Sequence, residues 1–331
     1  MQIKHHFSLP QNTYVTEDKN SIIVSNQYSL SFYSCQGKLE RELVHFFETK
    51  NSLLSQDESI LITCDDRTKL KTIDLLSLKE LSEVTLEQKT IFFPLGFTLC
   101  QDPSCFYMII AKTEDFYEAK MMKDFTPERG TYLLQKRRVA DLELVEEIIL
   151  DDFFIDIKRF HKGYLMIRGD DSLFYFDEKE VRYLDIHSKD KILIDEKSGR
   201  ILTMTEFGYR LYDSHFHEIQ KSDFLSEETQ EVDYELFSLL QNDDFEFGDQ
   251  KYMEVPEEYL QTEIFINGRY LVCAINAKLS YYYSLRVIDV LTGKRVAEKT
   301  VSEKIEQLYP LKGNKFAFTT KDNTHIMEVM E

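Results

Sequence analysis

Apolar and polar residues alternate along almost the whole chain, in short runs divided by polar turns. One run recurs as SIIVSN (21–26), SILITC (59–64), CFYMII (105–110), YLMIRG (164–169), RILTMT (200–205), RYLVCA (269–274) and KFAFTT (315–320), its starts 38, 46, 59, 36, 69 and 46 residues apart. Each is followed by a second alternating run (SLSFYS, KLKTID, TYLLQK, SLFYFD, YRLYDS, SLRVID, THIMEV) and, in all but the last, by a charged third run such as GKLEREL or GKRVAEKT. A further short segment precedes each, as in TYVTED, SLLSQD, FTLCQD, FIDIKRF, KILIDE, TEIFING and QLYPLKG. Alternation with period two puts one side of each run toward a core, the pattern of β-strands. Helical patterns do not alternate with these strands, which excludes βαβ units and helical solenoids. Four strands per repeat and seven repeats predict an all-β fold, a seven-bladed β-propeller with four-stranded blades, whose radial closure leaves only short protected edges.

The seventh repeat stops after its third strand, and QIKHHFSL at the N-terminus precedes the first strand of repeat one. It is expected to supply the missing strand and close the ring, making residues 1–331 a single propeller domain. Two separate β-sandwiches, or a ring of six or eight blades, are the alternatives. The second runs end near Asp74, Asp177, Asp213 and Asp289, with Ser34, Gln135 and Glu328 in the other copies. An aspartate there can accept a backbone N–H two residues on, with a following glycine supplying positive φ. The segment Ile288, Asp289, Thr292, Gly293, Lys294, and in part Ile73, Asp74, Ser77, resembles the WD40 and YVTN-type propeller superfamily, where a strand ending in Trp-Asp or Ile-Asp precedes a Thr-Gly-Lys turn. The chain has no tryptophan, and the Gly-His pair of strict WD40 repeats is missing.

Composition narrows the function. Hydrophobic residues make up 43% of the chain and aromatics 13%, enough for a sizeable core. With 59 acidic and 40 basic residues the net charge is -19, so direct nucleic-acid or anionic-membrane binding is not expected. The five cysteines show no metal-binding spacing, and no segment approaches a membrane span or a secretory leader. The expected location is the cytoplasm.

Two insertions break the rhythm, at about 111–130 and 222–260. The first is expected to hold a short helix from the N-cap Thr113 to about Asp124, exposing Phe116, Tyr117 and Met122 among others. The second contains 13 acidic residues and one basic, and a helix is expected to begin near Ser226. Its acids Glu231, Asp233, Asp243, Asp244 and Glu246 intersperse with Phe245, Phe247 and Tyr252. Long excursions in a repeat array map to loops on a binding face. An acidic, aromatic-rich surface would steer and anchor a basic protein partner. The expected function is therefore a non-catalytic protein-interaction scaffold.

Catalytic propellers offer the runner-up. Sialidase-like and quinone-dependent repeats cannot be written with this sequence, and the motifs of P-loop, Rossmann, serine-hydrolase and zincin enzymes are missing. A lactonase-like hydrolase or small-ligand binder would need inward carboxylates in the central channel, for which Glu17, Asp156, Asp195 and Glu263 are the weak metal candidates. No catalytic residue, cofactor or metal is assigned. A third alternative, an inhibitor or immunity protein for a basic enzyme, rests on charge alone.

Overall fold

The computed structural model describes residues 1–10, 14–25, 29–44, 51–64, 69–85, 90–113, 130–188, 191–205, 208–223, 258–277 and 283–330. The N-terminal strand is β1 (Gln2–Pro10). Blade 1 is β2 (Tyr14–Glu17), β3 (Ser21–Ser25), β4 (Ser29–Ser34) and β5 (Leu39–Val44). Blade 2 is β6 (Asn51–Leu54), β7 (Ile60–Cys64), β8 (Lys69–Asp74) and β9 (Lys79–Thr85). Blade 3 is β10 (Thr90–Leu99), β11 (Cys105–Thr113), β12 (Gly130–Arg138) and β13 (Leu144–Leu150). Blade 4 is β14 (Phe154–Phe160), β15 (Gly163–Arg168), β16 (Ser172–Phe176) and β17 (Val181–His187). Blade 5 is β18 (Ile192–Asp195), β19 (Arg200–Met204), β20 (Gly208–Tyr212) and β21 (Glu218–Asp223). Blade 6 is β22 (Glu258–Ile266), β23 (Tyr270–Ala277), β24 (Tyr283–Asp289) and β25 (Lys294–Val301). Blade 7 takes β26 (Gln307–Pro310), β27 (Lys315–Thr319) and β28 (Asn323–Met330) from the C-terminus and β1 as its fourth strand. All pairings are antiparallel, and the closing pair runs from Gln2 opposite Met330 to Pro10 opposite Asn323. The seven four-stranded blades and the N-terminal closure are as the strand pattern predicts.

The core is divided in the same way. Among the described residues the buried apolar side chains fall into seven clusters, and each fills one junction between neighbouring blades. The junction of first and last blades is no exception: Leu9, Ala317 and Ile326 of blade 7 pack with Val15, Ile22 and Val24 of blade 1. A closed ring follows, because every blade buries both of its faces. The outermost strands are wetter. In β5 and β9 exposed positions alternate with half-buried ones, as the charged third runs require.

Without tryptophan, tyrosine fills the largest inter-blade spaces. Tyr107, Tyr164, Tyr209 and Tyr270 are among the largest fully buried side chains. A buried phenol needs a partner. The Tyr164 hydroxyl accepts from the Gln101 amide of blade 3 at 2.8 Å and donates to Glu178 at 2.9 Å. Tyr209 donates to the Val290 carbonyl of blade 6 at 3.0 Å. Each thus ties two blades together, and burial pushes the Tyr209 phenol up to about 12.

Four sequence expectations need revision. Gln135 does not end the third strand of blade 3; it lies within β12, opposite Met108 and Glu147, and the strand continues to Arg138. Glu328 likewise lies two residues inside the end of β28. The insertions are shorter than 111–130 and 222–260, because β11 runs to Thr113, β12 starts at Gly130, β21 runs to Asp223 and β22 starts at Glu258. Thr113, expected as a helix N-cap, pairs with Gly130 as the last rung of a ladder. No helix occurs among the described residues, and the stretches 114–129 and 224–257, on which the expected helices fall, lie outside them.

Candidate interaction face

Strand direction reverses at every step within a blade, so connections sort by face. First-to-second and third-to-fourth turns open on one face, here the turn face; second-to-third turns and the connections between blades open on the other. The first insertion joins β11 to β12, a second-to-third connection. The second joins β21 to β22, a connection between blades. Both therefore leave the same face, anchored by the pairs Thr113–Gly130, Gly208–Asp223 and Glu258–Ala277. The predicted contact residues Phe116, Tyr117, Met122, Glu231, Asp233, Asp243, Asp244, Phe245, Glu246, Phe247 and Tyr252 all lie in these insertions, outside the described residues.

Blade 4 stands between the two insertions along the ring, and on this face its Arg168 is already paired. Arg168 reaches Asp152 at 2.7 Å and Asp170 at 2.5 Å, and its guanidinium lies over the Phe174 ring. The hydrogen bond from Arg168 holds the Asp170 carboxyl well below the usual carboxylate range. Sequence reasoning did not single out Arg168; a cation between two Asp-containing turns was its only signal.

The turn face is built from side-chain caps. The predicted role of the third-strand aspartates is what the geometry contains: Asp74 accepts from the Ser77 amide at 2.6 Å, Asp177 from Lys179 and Glu180 at 3.0 Å, Asp213 from His215 at 2.8 Å and Asp289 from Leu291 at 3.0 Å. Ser34 does the same for Gln36 and Lys38, and in blade 3 the role falls to Asp141, which accepts from Glu143. First-to-second turns use the device again at Asp18, Asp57 and Asp102. The Ser55 and Ser59 hydroxyls and the Ser59 amide lower Asp57 to about 2. These acids serve the turns they sit in.

The four channel candidates are not assembled into a site. Glu17 is buried and accepts from the Lys312 amide at 2.9 Å and from the Lys315 ammonium, so it joins blades 1 and 7. Glu263 is also buried and lies 3.2 Å from Lys191 of the neighbouring blade. Asp195 accepts from the Ser198 amide within its own turn, and Asp156 lies 3.3 Å from Lys158. Asp156 in turn raises the Lys158 pKa, with Glu196 adding to it. Among the described residues no three or more His, Cys, Asp or Glu side chains gather in a way that could hold a metal ion. For Glu17 and Glu263 the lysine partner lies far away in the sequence, which is why these two acids looked unclaimed there.

Comparison with known proteins settles the architecture. The chain is similar to the C-terminal WD40 domain of Sif2, with 13% identity and a TM-score of 0.57 over 99% of this chain and 84% of that one. It is also similar to the β-propeller domain of Myceliophteria thermophila Cps50 (Swd1), with 10% identity and a TM-score of 0.62 over 99% of this chain and 100% of that one. No family model and no curated protein matches the sequence. The fold is that of a WD40-like propeller. In this WD40-like propeller the left-handed turn position after the third strand is held by Gly37 and Gly293 in two blades, but by Leu78, Leu142, Glu178 and Phe216 in four others. A non-glycine residue costs roughly 1–2 kcal/mol in that conformation. Packing offsets it at Phe216, which stacks on Phe160 of blade 4, and at Leu142, which is fully buried and whose carbonyl accepts from Arg137 at 2.7 Å.

Proposed function

We propose that the chain is a non-catalytic interaction scaffold that binds a protein partner through the face from which both insertions emerge, with the acidic, aromatic-rich second insertion selecting a basic partner. The observation that carries this reading is topological. Insertions about 110 residues apart in sequence leave one side of the ring, at blade 3 and between blades 5 and 6. The connection 224–257 carries 11 acids against one base. Complementary charge would speed encounter and make it sensitive to salt, while buried aromatics would supply most of the affinity. The likeness to WD40-type propellers supports a scaffold role by analogy of fold. No disulfide joins the five cysteines, which suits a reducing compartment such as the cytoplasm.

The test compares the intact chain with one in which residues 224–257 are replaced by a short Gly-Ser linker, after circular dichroism has shown that both are folded. Each is used to capture proteins from native lysate at low and high salt. A stoichiometric basic partner held by the intact chain at low salt, and lost on shortening or at high salt, is the expected result. Capture indifferent to both changes would overturn the reading.

A further inference from the structure

The strand pair that closes the ring carries three histidines, His5, His6 and His325, and the local geometry sorts them. Ser8 stands opposite His325 and His5 opposite Met327, with a bulge between His5 and Phe7. In an unbroken strand, residues three apart point to opposite faces. The extra residue in the bulge puts His5 and Ser8 on one face, two rungs apart, where His325 meets them from the neighbouring strand. His5 Nε2 lies 3.1 Å and His325 Nδ1 2.9 Å from the same atom, Ser8 Oγ, and the two rings are 5.7 Å apart. His325 is braced from behind by stacking on Phe318 at 4.5 Å. His6 is turned to Glu328 at 2.8 Å and takes no part.

We infer that His5 and His325 bind a divalent first-row transition-metal ion across the ring-closing seam, at the point that the Ser8 hydroxyl now bridges. Two imidazole nitrogens already converge on one point at the surface, and imidazole suits Cu²⁺, Ni²⁺ and Zn²⁺. The Ser8 hydroxyl must rotate away to vacate that point, and each nitrogen then moves inward by roughly 1 Å to reach a bonding distance of about 2.1 Å. The remaining coordination positions go to water or to a group from outside, so binding is reversible. Mg²⁺ and Ca²⁺, which take oxygen ligands, are excluded. The two ligands come from opposite ends of the chain and are far apart once it unfolds. Metal binding is therefore linked to closure, and the ion acts as a clasp on the seam between β1 and β28.

The test uses the full chain, titrated calorimetrically with Ni²⁺ and melted with and without Ni²⁺, Zn²⁺ or Mg²⁺. The expected result is one Ni²⁺ bound per chain at this site and a rise in Tm with Ni²⁺ and Zn²⁺ but not Mg²⁺. Both effects are lost in His5→Ala and His325→Ala, and kept in His6→Ala and in the His215→Ala/His217→Ala double variant. Should an alanine variant at His5 or His325 fold poorly, the Cu²⁺ paramagnetic resonance spectrum of the His215→Ala/His217→Ala variant decides, because the site requires two coupled imidazole nitrogens. A shift that survives His5→Ala or His325→Ala, one abolished by the His215→Ala/His217→Ala change, or a copper spectrum without two nitrogens would overturn the inference.

Discussion

Lys315→Met is expected to damage this protein more than Glu17→Gln, although both break the same ion pair. Glu17 lies on the innermost strand of blade 1 and its side chain is 5% exposed; Lys315, from blade 7, is 27% exposed. Removing the lysine leaves the carboxylate, among the described residues, with the Lys312 amide as its remaining hydrogen-bond partner. Breaking a buried pair from one side costs about 3–5 kcal/mol, and the surviving amide bond places this case near 3. Removing the carboxylate charge leaves a lysine that can swing into solvent, and the side-chain carbonyl of the introduced glutamine can still accept from the Lys312 amide. The loss is then the difference between a charge-assisted and a neutral hydrogen bond, about 1 kcal/mol. The double variant strands no charge and should recover most of the loss, within about 1–2 kcal/mol of the unaltered protein. Urea unfolding measures this, followed by far-UV circular dichroism and by tyrosine emission, which the 19 tyrosines and the lack of tryptophan make available. With an m-value near the upper end of about 1–3 kcal/mol/M, Lys315→Met lowers the midpoint by about 1 M. A midpoint no lower than that of Lys321→Met, a change at an exposed lysine, would refute the reasoning, as would a double variant worse than either single one.

Other consequences are as direct. Leu9 of β1 is 3% exposed within the cluster joining blades 7 and 1, so Leu9→Ala should cost about 2–5 kcal/mol in the same urea assay, whereas Lys4→Ala on the exposed part of that strand should be nearly neutral. Gly96 has φ +45°, and a Cβ there would lie 2.2 Å from Asp156 Oδ1 and 2.4 Å from the Ile157 nitrogen. Gly96→Ala should therefore cost more than the roughly 1–3 kcal/mol of left-handed strain alone, read as a fall in Tm. Asp57 has a folded pKa of about 2, below the ordinary 3.8. Its contribution to stability is complete above about pH 4 and is lost as pH falls toward 2. Asp57→Asn should accordingly flatten the acid limb of the stability profile across that window, and an unchanged limb would show that the turn does not hold the carboxylate as described.

The strands were legible because each obeys the simplest rule in the chain, alternation against a core on both sides of the blade. Closure was legible too, since a seventh repeat lacking its last strand and an unclaimed strand at the other end have one economical solution. The aspartate caps of the turns were legible, but the left-handed position was legible only where glycine marked it. The Thr292-Gly293-Lys294 signature stood out, while the same backbone position at Leu78, Leu142, Glu178 and Phe216 gave no sign, because residue type does not mark it there; at Leu78, Leu142 and Phe216 tertiary packing offsets the strain. The channel acids misled for a similar reason. Glu17 and Lys315 are 298 residues apart and Glu263 and Lys191 are 72 apart, so their pairing is a property of the ring and not of any local segment. The common face of the two insertions was hidden as well, since it follows from counting strand reversals once blade boundaries are fixed.

The account rests most heavily on that face being the partner surface. The most direct measurement is salt-dependent binding of the captured partner to three folded proteins: the intact chain, the chain with 224–257 replaced, and one with Asp57, Asp102 and Asp177 of the turn face changed to Asn. The account predicts that affinity falls with ionic strength for the intact chain and the turn-face variant alike, and that the shortened chain loses both the affinity and the salt slope. A shortened chain that binds as the intact one does, or a turn-face variant that alone loses binding, would contradict it.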